Sequence, residues 1–255
     1  MRSQMKLGWI PDIPDIRDRP YMLMGAAPVE LPRAVDLRAG CSPVEHQGGT
    51  SSCTANATVG AMEYLEGLQR DAYTDLYRLQ LYYDGRTDMG AGQESVDAGC
   101  YIRLIIKSAA RRGVAPEKLW PFLEAQVNAR PPPEVYDMAL DRQILEYRRL
   151  EGLYELRKCL AEGFPVIFGF SVYENLMADA VRGSGIIPLP DGKLLGGHAV
   201  LAVGYDDDAR TVLIRNSWGT DWGVQGYGML PYAYIETGSL SDDYWTIRTQ
   251  EGGRG

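Results

Sequence analysis

The chain has 255 residues, of which 45% are hydrophobic and 24% charged, and these values are typical of a soluble globular protein. The 34 acidic and 26 basic residues give a formal net charge of −8, which argues against a nucleic-acid partner and against anionic membrane surfaces. No run approaches the ~18 apolar residues of a membrane span. The first nine residues lack the apolar core of a signal peptide, so we expect a cytoplasmic protein, with export by another route left open.

Residues 1–30 differ in composition from the rest of the chain. Pro11, Pro14 and Pro20 exclude a helix there and favour an extended arm, followed by a linker at 22–28. The arm carries apolar residues that must pack on something, namely Trp9, Ile10, Ile13, Ile16 and Tyr21. Two interpretations stay open: the arm occupies a groove of the remaining chain, or it is a structural strap on its flank.

The first half of the remaining chain is predicted to be helical. Residues 54–65 are alanine-rich with an apolar stripe, and residues 100–112 form a second amphipathic pattern that ends at Gly113. Residues 82–97 between them are expected to be a polar loop. Asp84, Asp88 and Glu94 in that loop do not have the spacing of a calcium-binding EF-hand, so no metal site is expected.

The second half is predicted to contain one short helix and then mainly strands. The helix is expected at 152–163, with Cys159 on its apolar face as a core residue. Apolar, β-branched or aromatic runs predict strands at 165–170, 199–204, 211–215, 226–230 and 244–247. Helices followed by antiparallel strands indicate the α+β class.

Cys53 is the most informative residue of the chain. It follows the small, glycine-rich run of residues 47–52 and stands at the start of the first predicted helix. The positive end of a helix dipole favours the thiolate over the thiol, which makes Cys53 a candidate nucleophile. The chain has four cysteines, too few for a disulfide framework, so we expect their thiols to be reduced.

A cysteine nucleophile needs a basic partner, and the chain contains only two histidines. His46 lies seven residues before Cys53, whereas His198 leads into an apolar strand. Asn216 follows eighteen residues after His198. A cysteine, a later histidine and a still later asparagine is the order expected of a Cys-His-Asn acyl-transfer site.

Three separated motifs stand at residues 35–53, at 197–200, and at 216–219 together with 222–223 and 226–228. Together they resemble the motifs of the papain family of cysteine peptidases, and the likeness covers roughly residues 31–248. Thr50, Ser51 and Thr54 stand where plant and lysosomal members usually have Cys, Gly and Trp, so the disulfide that is usual beside the nucleophile cannot form. The form of residues 52–57, Ser-Cys-Thr-Ala-Asn-Ala, resembles bacterial members of the family.

The resemblance implies a two-lobed α+β fold with the active site in the cleft between the lobes. The helical lobe would comprise about 46–145, and an antiparallel, β-barrel-like lobe would comprise about 146–250 plus 31–45. Together they form a catalytic domain at 31–250. Residues 1–30 are then a candidate short pro-segment that keeps the enzyme latent by lying in the cleft.

The resemblance also implies roles for individual residues. Cys53 would be the nucleophile of peptide hydrolysis through a thioester, and His198 would be its acid–base partner. Asn216 would orient the histidine, and Gln47 would donate to the oxyanion. Substrate-binding roles fall on Gly99, Tyr101 and Trp218, and His46 is interpreted as a surface residue.

No cofactor and no metal are implied, and the expected partner is a peptide or protein substrate. Two other functions remain open on the sequence alone. A Cys-His pair also serves non-proteolytic acyl transferases and cyclases. A catalytically silent binding module is disfavoured because Gln47, Cys53, His198 and Asn216 are all present.

Overall fold

The computed structural model describes residues 5–22, 29–70 and 72–251. Residues 1–4 of the predicted arm and 23–28 of its predicted linker lie outside these ranges. Within the described residues there are seven α-helices, seven β-strands and five short 3₁₀ helices. The α-helices are α1 (Cys53–Arg70), α2 (Arg78–Met89), α3 (Ile102–Arg112), α4 (Pro133–Ala139), α5 (Gly152–Ala161), α6 (Asp179–Ser184) and α7 (Ala233–Glu236). The strands are β1 (Ala34–Asp36), β2 (Ile144–Leu150), β3 (Val166–Tyr173), β4 (Leu194–Asp206), β5 (Thr211–Arg215), β6 (Tyr227–Pro231) and β7 (Ser241–Gln250). The 3₁₀ helices are Arg38–Gly40, Gln93–Ser95, Glu117–Leu119, Glu124–Gln126 and Glu174–Met177.

Helix α1 runs through the centre of the molecule. All of its residues from Cys53 to Glu66 are buried, because the helix packs against β4 and β7 on one side and against α2 and α3 on the other. Small residues such as Ala55, Ala57 and Gly60 suit this position, since they let the neighbouring elements approach closely. Helix α3 instead has one buried face, and Arg111 and Arg112 in its last turn face the negative end of its dipole.

The strands form one antiparallel sheet in the order β2–β7–β3–β4–β5–β6, and β1 pairs with β4. Strand β4 shows how the sheet separates two apolar cores. Ala199, Leu201 and Val203 belong to the core around α1, whereas Val200 and Ala202 belong to the core on the opposite face. This alternation follows from the two-residue period of a strand. It places consecutive residues of β4 on the helical side and on the far side of the sheet.

The predicted α+β class with an antiparallel sheet is confirmed, and so are the helices after Cys53, before Gly113 and at 152–161. The predicted polar loop at 82–97 is wrong over its first half, which belongs to α2. Asp84 there is buried and accepts a hydrogen bond from the Tyr136 hydroxyl, and Asp88 is paired with Arg112. Because partners from other elements satisfy these carboxylates, a polar segment can form a packed helix.

The described part of the arm, residues 5–22, lies against both halves of the molecule. Trp9 forms a bridge with Cys100, just before α3, and Pro20 forms a bridge with Arg149 of β2. The Tyr21 amide also donates to the Arg149 carbonyl, at 2.7 Å. The boundaries predicted for the arm and for the two lobes remain predictions. None of the helices in the described ranges is long and apolar enough to cross a lipid bilayer.

Candidate active site

Cys53 is the first residue of α1, and the loop before it sets where the helix begins. The Ser52 carbonyl accepts hydrogen bonds from the amide and from the side-chain Nδ2 of Asn56, both at 3.0 Å, so Ser52 caps the helix. The Cys53 side chain is fully buried and its Sγ accepts the Ala199 amide at 3.4 Å. The thiol thus lies where α1 meets β4.

His198 lies on β4, next to Ala199, and its imidazole is fully buried. Its Nε2 is 2.8 Å from Oδ1 of Asn216, and its Nδ1 has no hydrogen-bond partner among the described residues. The Trp218 ring stacks on the imidazole with the ring centroids 4.5 Å apart, which excludes water from that face. One ring nitrogen is therefore fixed by Asn216, and the other is left available.

Gln47 lies in the loop before α1 and is completely buried. Its Oε1 accepts the Ser217 hydroxyl at 2.6 Å, which fixes the orientation of the side-chain amide. Its Nε2 donates to the Thr50 carbonyl at 2.7 Å and to the Lys6 carbonyl, an arm residue, at 3.1 Å. The amide therefore already binds a carbonyl oxygen from the arm.

The segment just before α3 lines the groove in which the arm lies. It consists of Gly99, Cys100 and Tyr101. Gly99 has φ +96, and a Cβ there would be 2.3 Å from the Gly8 carbonyl oxygen, so a side chain would collide with the arm. The backbone of Cys100 faces the arm, and Tyr101 is half-buried beside it. These residues provide an extended edge whose backbone groups pair with the arm.

The arm pairs with both sides of the groove through its backbone. The Trp9 amide donates to the Gly197 carbonyl at 3.0 Å, and the Ile10 amide donates to the Cys100 carbonyl at 3.2 Å. The Cys100 amide donates to the Gly8 carbonyl at 2.8 Å, which makes the pairing parallel.

Burial determines the protonation states of Cys53 and His198. It raises the pKa of the Cys53 thiol to about 11, although backbone hydrogen bonds from Ala199 and Gly8 oppose the shift. It lowers the pKa of the His198 imidazole to about 4, although the Asn216 hydrogen bond acts in the opposite direction. The sequence predicted a lowered pKa for Cys53. That prediction is wrong for this structure, because burial of the thiol raises its pKa by more than the helix dipole lowers it.

The structure brings most of the sequence-predicted site residues together. Gln47, Cys53, His198, Asn216 and Trp218 form one buried group, and Gly99 and Tyr101 lie along the adjoining groove. His46 is exposed, and its Nδ1 accepts the Gly48 amide at 2.8 Å.

Three residues that contact Trp9 of the arm had no site role assigned from the sequence, namely Gly169, Gly197 and Asp243. Gly197 belongs to the motif before His198, whereas Asp243 lies in no motif. Among the described residues no group of His, Cys, Asp and Glu side chains could hold a metal ion. All four cysteines are described and none is in a disulfide.

Comparisons with known proteins identify the family of this chain. Residues 31–239 match the family described as papain family cysteine protease. The solved structure of xylellain, a cysteine protease from Xylella fastidiosa, has 38% sequence identity and a TM-score of 0.87 and covers 98% of both chains. An uncharacterized peptidase C1-like protein of Acanthamoeba polyphaga mimivirus is 33% identical over 86% of this chain and 73% of its own length.

More distant relatives point the same way. Chymopapain from Carica papaya is 27% identical over 77% of this chain and 54% of its own length. Digestive procathepsin L 3 of Tenebrio molitor has 22% identity and a TM-score of 0.72 over 91% of this chain and 74% of its own, a likeness of fold alone. The chain therefore belongs to the papain family of cysteine proteases and is a peptidase.

Proposed function

We propose that this peptidase cleaves its substrates through a thioester on Cys53, with His198, Asn216 and Gln47 completing the site. The observation that carries the proposal is the state of the His198 ring. Nε2 is held by Asn216 at 2.8 Å, whereas the buried Nδ1 has no partner among the described residues. A histidine held at one nitrogen and available at the other is arranged to move a proton.

The reaction has two stages, acylation of Cys53 and hydrolysis of the thioester. The thiol proton passes to Nδ1 of His198 while the Cys53 sulfur forms a bond to the substrate carbonyl carbon. The carbon–nitrogen bond breaks, and the imidazolium gives its proton to the leaving amine. Water, deprotonated by the same nitrogen, attacks the thioester, and the proton returns to the sulfur as the acid leaves.

Gln47 is assigned to the developing oxyanion. Its Nε2 donates to a carbonyl oxygen of the arm at 3.1 Å, which supports its ability to bind a substrate carbonyl oxygen in the same place. The Ser217 hydroxyl holds the amide in that orientation, so little reorganisation is needed when charge develops.

We further propose that the arm keeps the enzyme latent. Residues 8–10 use the Gly197 carbonyl and both backbone groups of Cys100, which an extended substrate would also need. While the arm occupies these groups, an extended substrate cannot pair with them.

The test of this function is covalent labelling of the full chain with a dipeptidyl epoxysuccinate, followed by intact mass and mapping of the adduct. We expect one adduct, on Cys53, although three other cysteines are present. Peptide hydrolysis is measured in a chain carrying Gly8→Ala, since a Cβ on Gly8 would lie 1.9 Å from the Ser51 carbonyl oxygen and should displace the arm. In that chain, hydrolysis should be lost in His198→Ala and retained in His46→Ala, a matched control at an exposed histidine. An adduct on another cysteine, or activity that depends on His46 instead of His198, would contradict the assignment.

A further inference from the structure

The loop before α1 is held by a carboxylate from a distant part of the chain, that of Asp97. Asp97 lies between α2 and α3, and its side chain is only 11% exposed. Its Oδ1 accepts the Ser51 amide at 2.8 Å, and its backbone carbonyl accepts the Ser51 hydroxyl at 3.2 Å. Two hydrogen bonds therefore join Asp97 to the residue two positions before Cys53.

The Ser51 amide belongs to the same peptide group as the Thr50 carbonyl, and that carbonyl anchors the side chain of Gln47. The Nε2 of Gln47 donates to the Thr50 carbonyl at 2.7 Å. The other hydrogen bond of this Nε2 goes to the Lys6 carbonyl of the arm, at 3.1 Å. The peptide group between Thr50 and Ser51 is therefore bonded to Gln47 through its carbonyl and to Asp97 through its N–H.

We propose that Asp97 is a positioning residue of the reaction and acts on the oxyanion through the Thr50–Ser51 peptide group and Gln47. The carboxylate fixes the peptide group, and the carbonyl of that group fixes one hydrogen of the Gln47 amide. The other hydrogen is then directed at the substrate carbonyl oxygen. In this role Asp97 does not contact the substrate. The inference rests on the proposed function, since it assumes that Gln47 binds the oxyanion.

A charged acceptor suits this role better than a neutral one. Hydrogen bonds to an ionised group are roughly twice as strong as neutral ones, and a peptide group whose N–H is bonded to a charge has a more strongly accepting carbonyl. Burial acts to raise the pKa of Asp97, but hydrogen bonds from Lys6 and Ser51 hold this pKa below its usual range, so the carboxyl group is ionised at neutral pH. A Gln47 amide that is held firmly needs little reorganisation when charge develops on the substrate oxygen.

The position of Asp97 is fixed by residues outside the arm. Its Oδ1 also accepts the hydroxyl of Tyr82, a fully buried residue of α2, at 2.9 Å. The same hydroxyl oxygen accepts the Gly99 amide at 2.9 Å. The ammonium group of Lys6, 2.8 Å from Oδ2, leaves with the arm, whereas the bonds from Ser51 and Tyr82 do not involve the arm. Asp97 can therefore serve the enzyme after the cleft has been opened.

The test is a double-mutant cycle on kcat for peptide hydrolysis, in the full chain carrying Gly8→Ala. Gln47→Ala and Asp97→Ala are measured singly and together. We expect Asp97→Ala to lower kcat by ~10- to 100-fold, because a misplaced group near the reacting atoms costs rate steeply. In the Gln47→Ala chain the same substitution should lower kcat by less than about threefold, since the donor that Asp97 positions is already absent. A merely structural role would lower kcat equally in both chains.

Three further substitutions separate positioning from general support of the fold. Asp97→Asn keeps an acceptor oxygen, so kcat should fall only severalfold, and this fall should disappear in the Gln47→Ala chain. Tyr82→Phe removes the other donor to the same carboxylate oxygen and the acceptor of the Gly99 amide. It should mainly raise KM, by the same factor with and without Gln47, because the Gly99 segment binds the ground state and the transition state alike. Glu94→Ala, between the same two helices, is the matched control and should change neither constant.

An equal loss of kcat from Asp97→Ala in both chains, or no loss in either, overturns the inference and leaves the proposed function intact. Asp97→Asn as damaging as Asp97→Ala, or Tyr82→Phe as strongly coupled to Gln47, also overturns it. If Gln47→Ala leaves kcat unchanged, the role of Gln47 in the proposed function fails, and the inference fails with it. If Asp97→Ala does not fold by circular dichroism, the cycle with Asp97→Asn decides: a severalfold loss confined to the chain that retains Gln47 supports the inference, and any other result overturns it.

Discussion

The arm and the remaining chain are held at the cleft by different forces. Cys53 and His198 lie on long elements, α1 and β4, whose neighbouring side chains pack into two apolar cores. The arm is held instead by a few backbone hydrogen bonds, one indole, and a group of carboxylates and guanidinium groups. Apolar cores fix the geometry of the body of the protein, whereas the arm behaves as a tethered ligand. The body should therefore keep its arrangement when the arm is displaced.

The largest expected effect is that of removing the Cys53 thiol, which lies in the body of the protein. In the Gly8→Ala chain, Cys53→Ala should lower kcat for peptide hydrolysis by a factor on the order of 10⁶, as for loss of the nucleophile in another peptidase. The control is Cys41→Ala, since Cys41 is a half-buried free thiol outside the group around His198. Hydrolysis that survived Cys53→Ala at a comparable rate would show that another residue provides the nucleophile.

The next effect separates Gln47 from the residues that carry the covalent chemistry. Gln47→Ala in the same background should lower kcat by ~10²–10³-fold with little change in KM, because the lost donor serves mainly the transition state. Gln93→Ala, an exposed residue of a 3₁₀ helix, is the matched control and should change neither constant. A rise in KM with unchanged kcat would mean that Gln47 binds the ground state and does not stabilise the oxyanion.

The sequence predicted the members of the candidate site better than the parts that come together only by folding. Cys53, His198 and Asn216 could be identified as candidates because their order and their neighbours form local patterns, and the structure brings them together. Strand β2 was missed because Glu146, Arg148 and Arg149 interrupt its apolar pattern, and it pairs with β7 far along the chain.

The contacts of Trp9 were equally hidden from sequence reasoning. Its indole lies against Gly169 and Gly197 and donates to Asp243, and the Trp9–Asp243 hydrogen bond spans 234 positions. The raised pKa of Cys53 was missed for the same reason, since the helix dipole is a local property and burial by the arm is not.

The arm itself is tested by one added methyl group. Gly8→Ala should raise the rate of Cys53 labelling by roughly 5- to 150-fold, because overpacking of this kind costs ~1–3 kcal/mol and the cost falls on the docked state alone. The control is Gly183→Ala in α6, where a Cβ would meet nothing within 4 Å. Unchanged labelling of Gly8→Ala, with the fold intact by circular dichroism, would contradict latency through the arm.

The smallest effect is a dependence of arm docking on pH, through Asp12. Burial, followed by the nearby Asp243, raises the pKa of Asp12 to about 7, against the opposing effect of Arg103. Arg149, 3.9 Å away, and the indole N–H of Trp245, 3.1 Å away, also face this carboxyl group. A released arm would return Asp12 to an ordinary pKa near 3.8. The docked arm therefore binds more protons, so docking is strongest below about pH 4 and weakens as the pH rises to about 7.

The measurement is the ratio of Cys53 labelling rates between the natural chain and Gly8→Ala, taken from pH 4 to pH 8. The ratio cancels the intrinsic pH dependence of the thiol, because both chains share the same cysteine and histidine. It should rise severalfold up to about pH 7 and then stay level. Asp12→Asn should flatten the rise. Asp15→Asn removes an arm carboxylate that pairs with Arg17 and with Lys107 outside the buried group, and the rise between pH 4 and pH 7 should remain. A ratio that instead increases as the pH falls would mean that the arm is held by an ionised Asp12, with Arg103 and Arg149 outweighing burial.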